Sequence, residues 1–264
     1  MRDVLSLSFY RRLSQSSYLA QEETVGPWSA TAQHGGPPCA LLASAIEDAS
    51  RDPGAEIAKL SIEFLRPVPL GKLEIEVKTL RAGHKVELYE AALFNDDGPI
   101  LLARAWRTRR TPGRVPSVSM SEPGASGPGA IAPSLLDAFP YISNIEWRFE
   151  RGEFSQPGPA LVHARIKIPL VQDEETSGLC AMLIIADSAN GVSQELAMDE
   201  YLFVPVDLMC SIVEVCRPDD FITFDARTRI AEVGSGLSEM TISQRGRFVG
   251  NSLHTLYVEP RSPS

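Results

Sequence analysis

Histidine is scarce in this 264-residue chain, four in all, and so is cysteine, also four. The histidines are scattered, with no HxH or HxxxH pair to hold a metal, so no metal is expected. Cys39, Cys180, Cys210 and Cys216 lie in apolar contexts without CxxC spacing and read as buried free thiols, which points to a reducing compartment. Net positive charge is missing as well. With 34 acids against 25 bases the balance is −9, which excludes the basic face that nucleic acid or an anionic membrane requires. No apolar run approaches the ~20 residues of a membrane span. The longest, "GLCAMLIIA" from Gly178 to Ala186, reaches about half of that. The opening "MRDVLSLSFYRRLSQSSYLA" has the Arg and Ser of a transit peptide, but it includes Asp3 and alternates like a strand. It therefore reads as mature chain, and the protein as cytoplasmic.

What is present is ample apolar material for a core, 44% of the chain, and a break near the middle. "TPGRVPSVSMSEPGASGPGAIAPS" has the Pro, Gly and Ser of a linker. It divides the chain into residues 1–112, a linker at 113–134, and residues 135–264. The two parts repeat each other. "KLEIEVKTL" and "KVELYEAALF" alternate with period two and run into the hairpin signal "NDDG". The second part has the same rhythm and turns at "QRG". Arg66-Pro67 and Arg217-Pro218 each close a strand, and each Arg stands 17 residues before a glycine, Gly83 or Gly234. An apolar helix precedes each run of strands: one from "HGGPPCALLASAIEDA", the other over Ser177–Leu196. A sheet with one face to bury needs such a helix to cover it.

The His34-Gly35-Gly36-Pro37-Pro38 start of the first helix is built for an anion. Helix N-terminal amides point outward with partial positive charge, glycines admit close approach, and prolines preset the first turn. Yet no acid lies in that helix's first turns. Glu47 and Asp48 come near its end and read as solvated. The second helix carries Asp187 between "LIIA" and "SANG", a carboxylate interrupting an apolar run and suited to activating water or attacking directly. The plainer alternative is a structural carboxylate held by backbone or by an arginine such as Arg217. "RTRR" at Arg107–Arg110 reads as a solvated strand end, with contact to substrate phosphates as the alternative.

The chain resembles the hot-dog fold, in which an antiparallel sheet wraps around a central helix. With two in tandem it is similar to the double hot-dog acyl-CoA thioesterases of type II. The matching stretches are "HGG", "FLRP", "LRAGHKVELYEAAL" and "DGPILLARA" in the first part. In the second they are "IIADSANG", "CRP" and "GRFVGNSLHTLYVEPR". The resemblance implies an α+β fold of two tandem antiparallel sheets, each around one long helix. It also implies an acyl-CoA substrate, no cofactor, and association into a homo-oligomer, a dimer or larger.

In such enzymes the acid lies about nine residues past the His of HGG. Nine residues past His34 stands Ala43, and nine residues before Asp187 stands Gly178. Each half thus keeps what the other has lost, and the resemblance implies one composite site. The Gly35 and Gly36 amides would polarise the thioester carbonyl, a contribution of ~3 kcal/mol per donor, and Asp187 would activate water. His254 stands where the family places a glutamine that helps hold the water. Among substrate contacts, His34 would act mainly through its backbone and His84 would meet the substrate edge. Ser211 would stand in for a hydroxyl residue whose aligned position is Leu208. That substitution keeps a second reading open, a hot-dog protein that binds acyl thioesters without turnover. A hot-dog hydratase needs a His five residues after its Asp, where this chain has Val192.

Overall fold

The computed structural model describes residues 7–50, 52, 54–121, 130–131, 138–154 and 156–261. The first part contributes strands β1 (Tyr10–Arg12), β2 (Ser17–Ala20), β3 (Ala55–Phe64), β4 (Gly71–Arg81), β5 (Val86–Asn95) and β6 (Gly98–Arg109). Its helix is α1 (Gly36–Ala49). The remainder contributes β7 (Ala130–Ile131), β8 (Ile145–Arg151), β9 (Ala160–Ile166), β10 (Tyr201–Pro205), β11 (Asp207–Ile212), β12 (Ile222–Ala231), β13 (Ser235–Gln244) and β14 (Arg247–Pro260). Its helices are α2 (Pro140–Ser143), α3 (Gly178–Ala186) and α4 (Ala189–Val192). Of the expected linker, residues 122–129 and 132–134 lie outside the described residues, and Ala130–Ile131 pair with β8.

The two parts run the same course. Strand order is β2-β4-β5-β6-β3 in the first and β9-β12-β13-β14-β11 in the second. The halves meet where β3 and β11 pair antiparallel, with Leu60 opposite Cys210 and Ile62 opposite Leu208, so the two sheets join into one of 14 strands. The repeat is close enough to register residue by residue. Both terminal hairpins carry one bulge just before the turn, and Asn95↔Gly98 corresponds to Gln244↔Arg247. Seven residues beyond each turn stand Ala105, opposite Tyr89, and His254, opposite Ser238. The turns are made differently. Arg245 and Gly246 both take positive φ, 54° and 70°, whereas the first turn uses Gly98 at 111°.

Strict alternation holds one face of each strand against the helices; β5 and β13 bury every second residue along most of their length. All nine residues of α3 are buried, as an all-apolar helix at the centre of a fold must be. The sheet wraps α1 and α3, which pack antiparallel against each other. Gly36 lies on Ile184, and Cys180 Sγ reaches Ala40 O at 3.4 Å. A shift of 144 residues, which carries Gly36 to Cys180 and Ile184 back to Ala40, exchanges these two contacts. The same shift carries His34 to Gly178 and Asp187 back to Ala43. Phe9 and Tyr10 are fully buried, and Tyr10 exchanges backbone bonds with Leu170 and Gln172, tying the first strand to the second half.

Three expectations need correction. The second helix does not run unbroken to Leu196; it stops at Ala186 with Asp187 as its C-cap and resumes as the short α4. The Tyr141 hydroxyl donates to the carbonyl of Ile184 at 2.7 Å, and the Ser188 amide turns to Ile185 O instead. That tightened turn ends the helix and releases the Asp187 side chain from its side. Secondly, Glu47 is not solvated. It is partly buried and accepts from Ser177 Oγ at 2.9 Å, and burial raises its carboxyl above the usual range. Thirdly, Arg107 is not part of a solvated strand end. It is 5% exposed, donates to Ala55 O, and faces Glu87 at 3.9 Å, while Arg109 and Arg110 pair with Asp52 and Glu56.

Candidate active site

The start of α1 and the end of α3 converge on Asp187. Its Oδ2 lies 3.1 Å from His34 Nδ1 and its Oδ1 lies 3.5 Å from His254 Nε2, so the carboxylate sits between histidines of the two halves. Asp187 is 4% exposed, yet its ion pairs among the described residues include these two histidines and no arginine. The Arg217 alternative is not realised; the backbone amide of Arg217 bonds Gln244 instead. At 3.5 Å the His254 contact is longer than a normal N–H···O bond. Asp187 Oδ1 and both ring nitrogens of His254 have no hydrogen-bond partner among the described residues, although His254 is fully buried. Buried polar atoms are rarely left so, and where they are, a reacting or bound group is a usual reason.

The two glycines make the convergence possible. A Cβ on Gly36 would stand 2.0 Å from Ile184 O, so only glycine lets α1 approach the α3 backbone. A Cβ on Gly35 would stand 2.8 Å from Asp187 Oδ2 and from the Phe64 ring. Their role is therefore packing as much as ligand approach.

The Gly36 amide points at His34 Nδ1, 3.2 Å away. One neutral ring nitrogen cannot accept from Gly36 and donate to Asp187 together. Nδ1 accepts from the Gly36 amide and stands 3.1 Å from Asp187 Oδ2. Burial holds the His34 imidazole below its ordinary range, the Asp187 charge opposing that shift, so the ring is neutral near pH 7. His34 thus bonds the helix entry, as expected of a helix-entry residue, and its ring also lies beside the acid.

Tyr141 joins the site without any motif to mark it. It arrives on α2, just beyond the linker, and its ring stacks on His34 with centroids 3.7 Å apart and planes 5° from parallel. Its hydroxyl also meets Ser188 Oγ at 2.8 Å, and burial keeps its proton in place. The only signal in the sequence is Pro140 opening a helical turn before an aromatic residue, which names no function.

Two expected residues do not join the site. Ser211 is exposed on the opposite face of β11, because Leu208, Cys210 and Ile212 take the inward positions. Inward-facing Cys210 is pushed up to about 12 by burial and then by the Asp187 charge, so its thiol stays protonated. His84 is exposed in the loop between β4 and β5 and is not among the residues lining the cavity beside Asp187. That cavity, about 300 Å³, has His34, Gly35 and Asp187 in its lining.

The equivalent place in the other half lacks counterparts of His34, Asp187 and His254, and its acid is Glu47, bonded to Ser177 Oγ. Gly178 replaces His34, Ala43 replaces Asp187, and Ala105 replaces His254, the two alanines fully buried. The α3 N-terminus is closed by Ser177 Oγ, which accepts from the Cys180 amide at 3.1 Å, and the space beside it is about 70 Å³. Among the described residues no group of three or more His, Cys, Asp or Glu could hold a metal, and no helix is long and apolar enough to cross a membrane.

Comparison with known proteins identifies the family and the fold. Residues 24–108 match the acyl-CoA thioesterase N-terminal domain and residues 112–258 the acyl-CoA thioesterase C-terminal domain. Comparison with curated proteins finds no match. Among solved structures, a putative thioesterase II from Thermobifida fusca superposes with a TM-score of 0.74 at 18% identity, covering 95% of both chains. An acyl-CoA thioesterase II from Mycobacterium marinum gives 0.72 at 16% identity, covering 97% of this chain and 96% of that one. A protein of unknown function with a hot-dog fold from Alicyclobacillus acidocaldarius gives 0.70 at 15%, covering 96% of each. With both domain models matched in order along a double hot-dog, the chain belongs to the acyl-CoA thioesterase family and is a thioester hydrolase.

Proposed function

We propose that the protein hydrolyses a fatty or related acyl-CoA thioester to the free acid and CoA, at a single composite site between its halves. The observation that carries this reading is the meeting of Asp187, from the second half, with His34 and Gly35, from the first, in the lining of one apolar cavity. The carbonyl oxygen of the thioester accepts from the Gly35 and Gly36 amides at the positive end of α1, the Gly36 amide exchanging its bond to His34 Nδ1 for the substrate. Asp187 takes a proton from water as its oxygen attacks the carbonyl carbon. The tetrahedral oxyanion is held by the same amides, the C–S bond breaks, and the proton passes from Asp187 to the departing CoA thiolate. His34, 3.1 Å from Asp187 Oδ2, packs against the carboxylate and holds its position, and Tyr141 fixes His34 by stacking. His254, beside Oδ1, orients the water.

Four buried thiols with no disulfide support a reducing, cytoplasmic setting for this activity. Association into a homo-oligomer is part of the reading, supported by outward-facing Leu102, Trp106, Leu237 and Tyr257 on the sheet; light scattering would count the copies. The test of function is release of free thiol from an acyl-CoA series by wild type and by Asp187→Asn, with circular dichroism to verify folding. Turnover that the substitution removes is expected. Binding of acyl-CoA without turnover in wild type would establish the non-hydrolytic reading instead.

A further inference from the structure

The chain is poor in aromatic residues, 7% or 19 side chains, yet seven of them line the cavity beside Asp187. Tyr141, Trp147 and Phe154 form its buried wall, at 1%, 1% and 9% exposure. Half-buried Trp28 stands in edge-to-face contact with buried Phe203, centroids 5.2 Å apart, and Phe64 and Phe139 complete the lining. The inner wall is rigid. Trp147 Nε1 donates to Ile142 O at 3.2 Å, and Phe154 meets the Trp147 ring edge-on at 5.2 Å and the Phe149 ring at 5.0 Å.

Volume and wall chemistry act together. An apolar cavity of roughly 150 Å³ holds benzene, so about 300 Å³ accommodates one ring, a short linker and the thioester carbonyl. On the same benzene benchmark, roughly 25 Å³ per carbon, a sixteen-carbon chain needs on the order of 400 Å³. Aromatic pairs gain ~0.5–1.5 kcal/mol beyond the area they bury, a gain that a linear alkyl chain does not collect from the same wall.

We infer that the acyl group this site takes is compact and ring-bearing, an aryl or arylalkanoyl thioester, with Trp147 and Phe154 closing the space that a long linear chain would need. The inference rests on the thioesterase reading and narrows it.

The experiment compares kcat/KM for 3-phenylpropanoyl-CoA, hexanoyl-CoA and palmitoyl-CoA below micelle-forming concentrations. The 3-phenylpropanoyl ester is expected to exceed the palmitoyl ester at least tenfold. Phe154→Ala, or Phe154→Leu if the first variant folds poorly, is expected to narrow that ratio at least tenfold by admitting the longer chain. Palmitoyl-CoA turned over as well as or better than the aryl ester, or a ratio unmoved by both variants, overturns the inference. Should no ester be hydrolysed, the thioesterase reading fails by itself. Calorimetric Kd values for the same esters then decide the inference, tighter aryl binding upholding it and tighter palmitoyl binding overturning it.

Discussion

The proposed composite site and the equivalent place in the other half share one architecture and differ in three side chains. Where His34, Asp187 and His254 meet, the other half has Gly178, Ala43 and Ala105, while helix packing and strand order are retained. The glycines show how the two requirements separate. Gly36 is pressed on Ile184 O and Gly178 on Cys216 O, where an added Cβ would stand 1.6 Å away. Close backbone contact occurs where each helix begins, though against different partners, and the acids differ: Asp187 stands at the α1 start beside two histidines, whereas Glu47 stands at the α3 start bonded to Ser177 Oγ. Packing has kept the symmetry of the repeat, and an acid between two histidines stands at only one of its two places.

The sharpest way to break this comparison is to move the acid. Asp187→Asn is expected to lower kcat by about 10²–10⁴-fold with stability little changed, as loss of a general base does. Ala43→Asp is expected to create no activity, alone or combined with Asp187→Asn. It should instead cost several kcal/mol in urea unfolding, because it buries a carboxylate with no histidine near it. Activity restored by the double variant would mean that the second place is intact.

The next effect is on stability and should be equal in both halves. Gly36→Ala and Gly178→Ala are each expected to destabilise by ~1–3 kcal/mol through overpacking. Per folded molecule, only the first should also lower kcat/KM.

A smaller effect is expected at His254. His254→Gln, which can still donate to Asp187, should retain most activity, whereas His254→Leu should lose on the order of a hundredfold in kcat. Equal loss in both variants would argue for a proton-transfer role for the imidazole.

The smallest effect is on pH. The folded protein holds His34 below the ordinary imidazole value of 6.5, so the unfolded chain binds the extra proton first as pH falls. Above 6.5 neither state is protonated there and the site costs nothing. Stability is lost as pH drops from 6.5 toward the lower folded value. His34→Gln should flatten that part of the stability–pH curve, and an unchanged slope would exclude His34 as its cause.

Much of this was legible in the sequence because the repeat is written in period-two alternation and in matched turns, which survive divergence. The spacing of nine residues also carried over, pairing Asp187 with Ala43 and His34 with Gly178. Ser211 failed for a reason the sequence itself contains. It stands three residues from Leu208, an odd step, and an odd step along a strand changes face. The helix end at Asp187 was hidden because what stops α3 is the hydroxyl of Tyr141, some 46 residues earlier in the chain. Arg107 and Glu47 looked solvated because charge usually is; their burial depends on Glu87, Ala55 and Ser177, which only the fold brings to them.

The central claim is one site per chain, assembled from both halves. Isothermal titration with a non-hydrolysable thioether analogue of an acyl-CoA measures it directly. One analogue should bind per chain, with affinity weakened when His34 or Asp187 is replaced but not when Gly178 or Ala43 is. Two analogues per chain, or binding insensitive to His34 and Asp187, would contradict it.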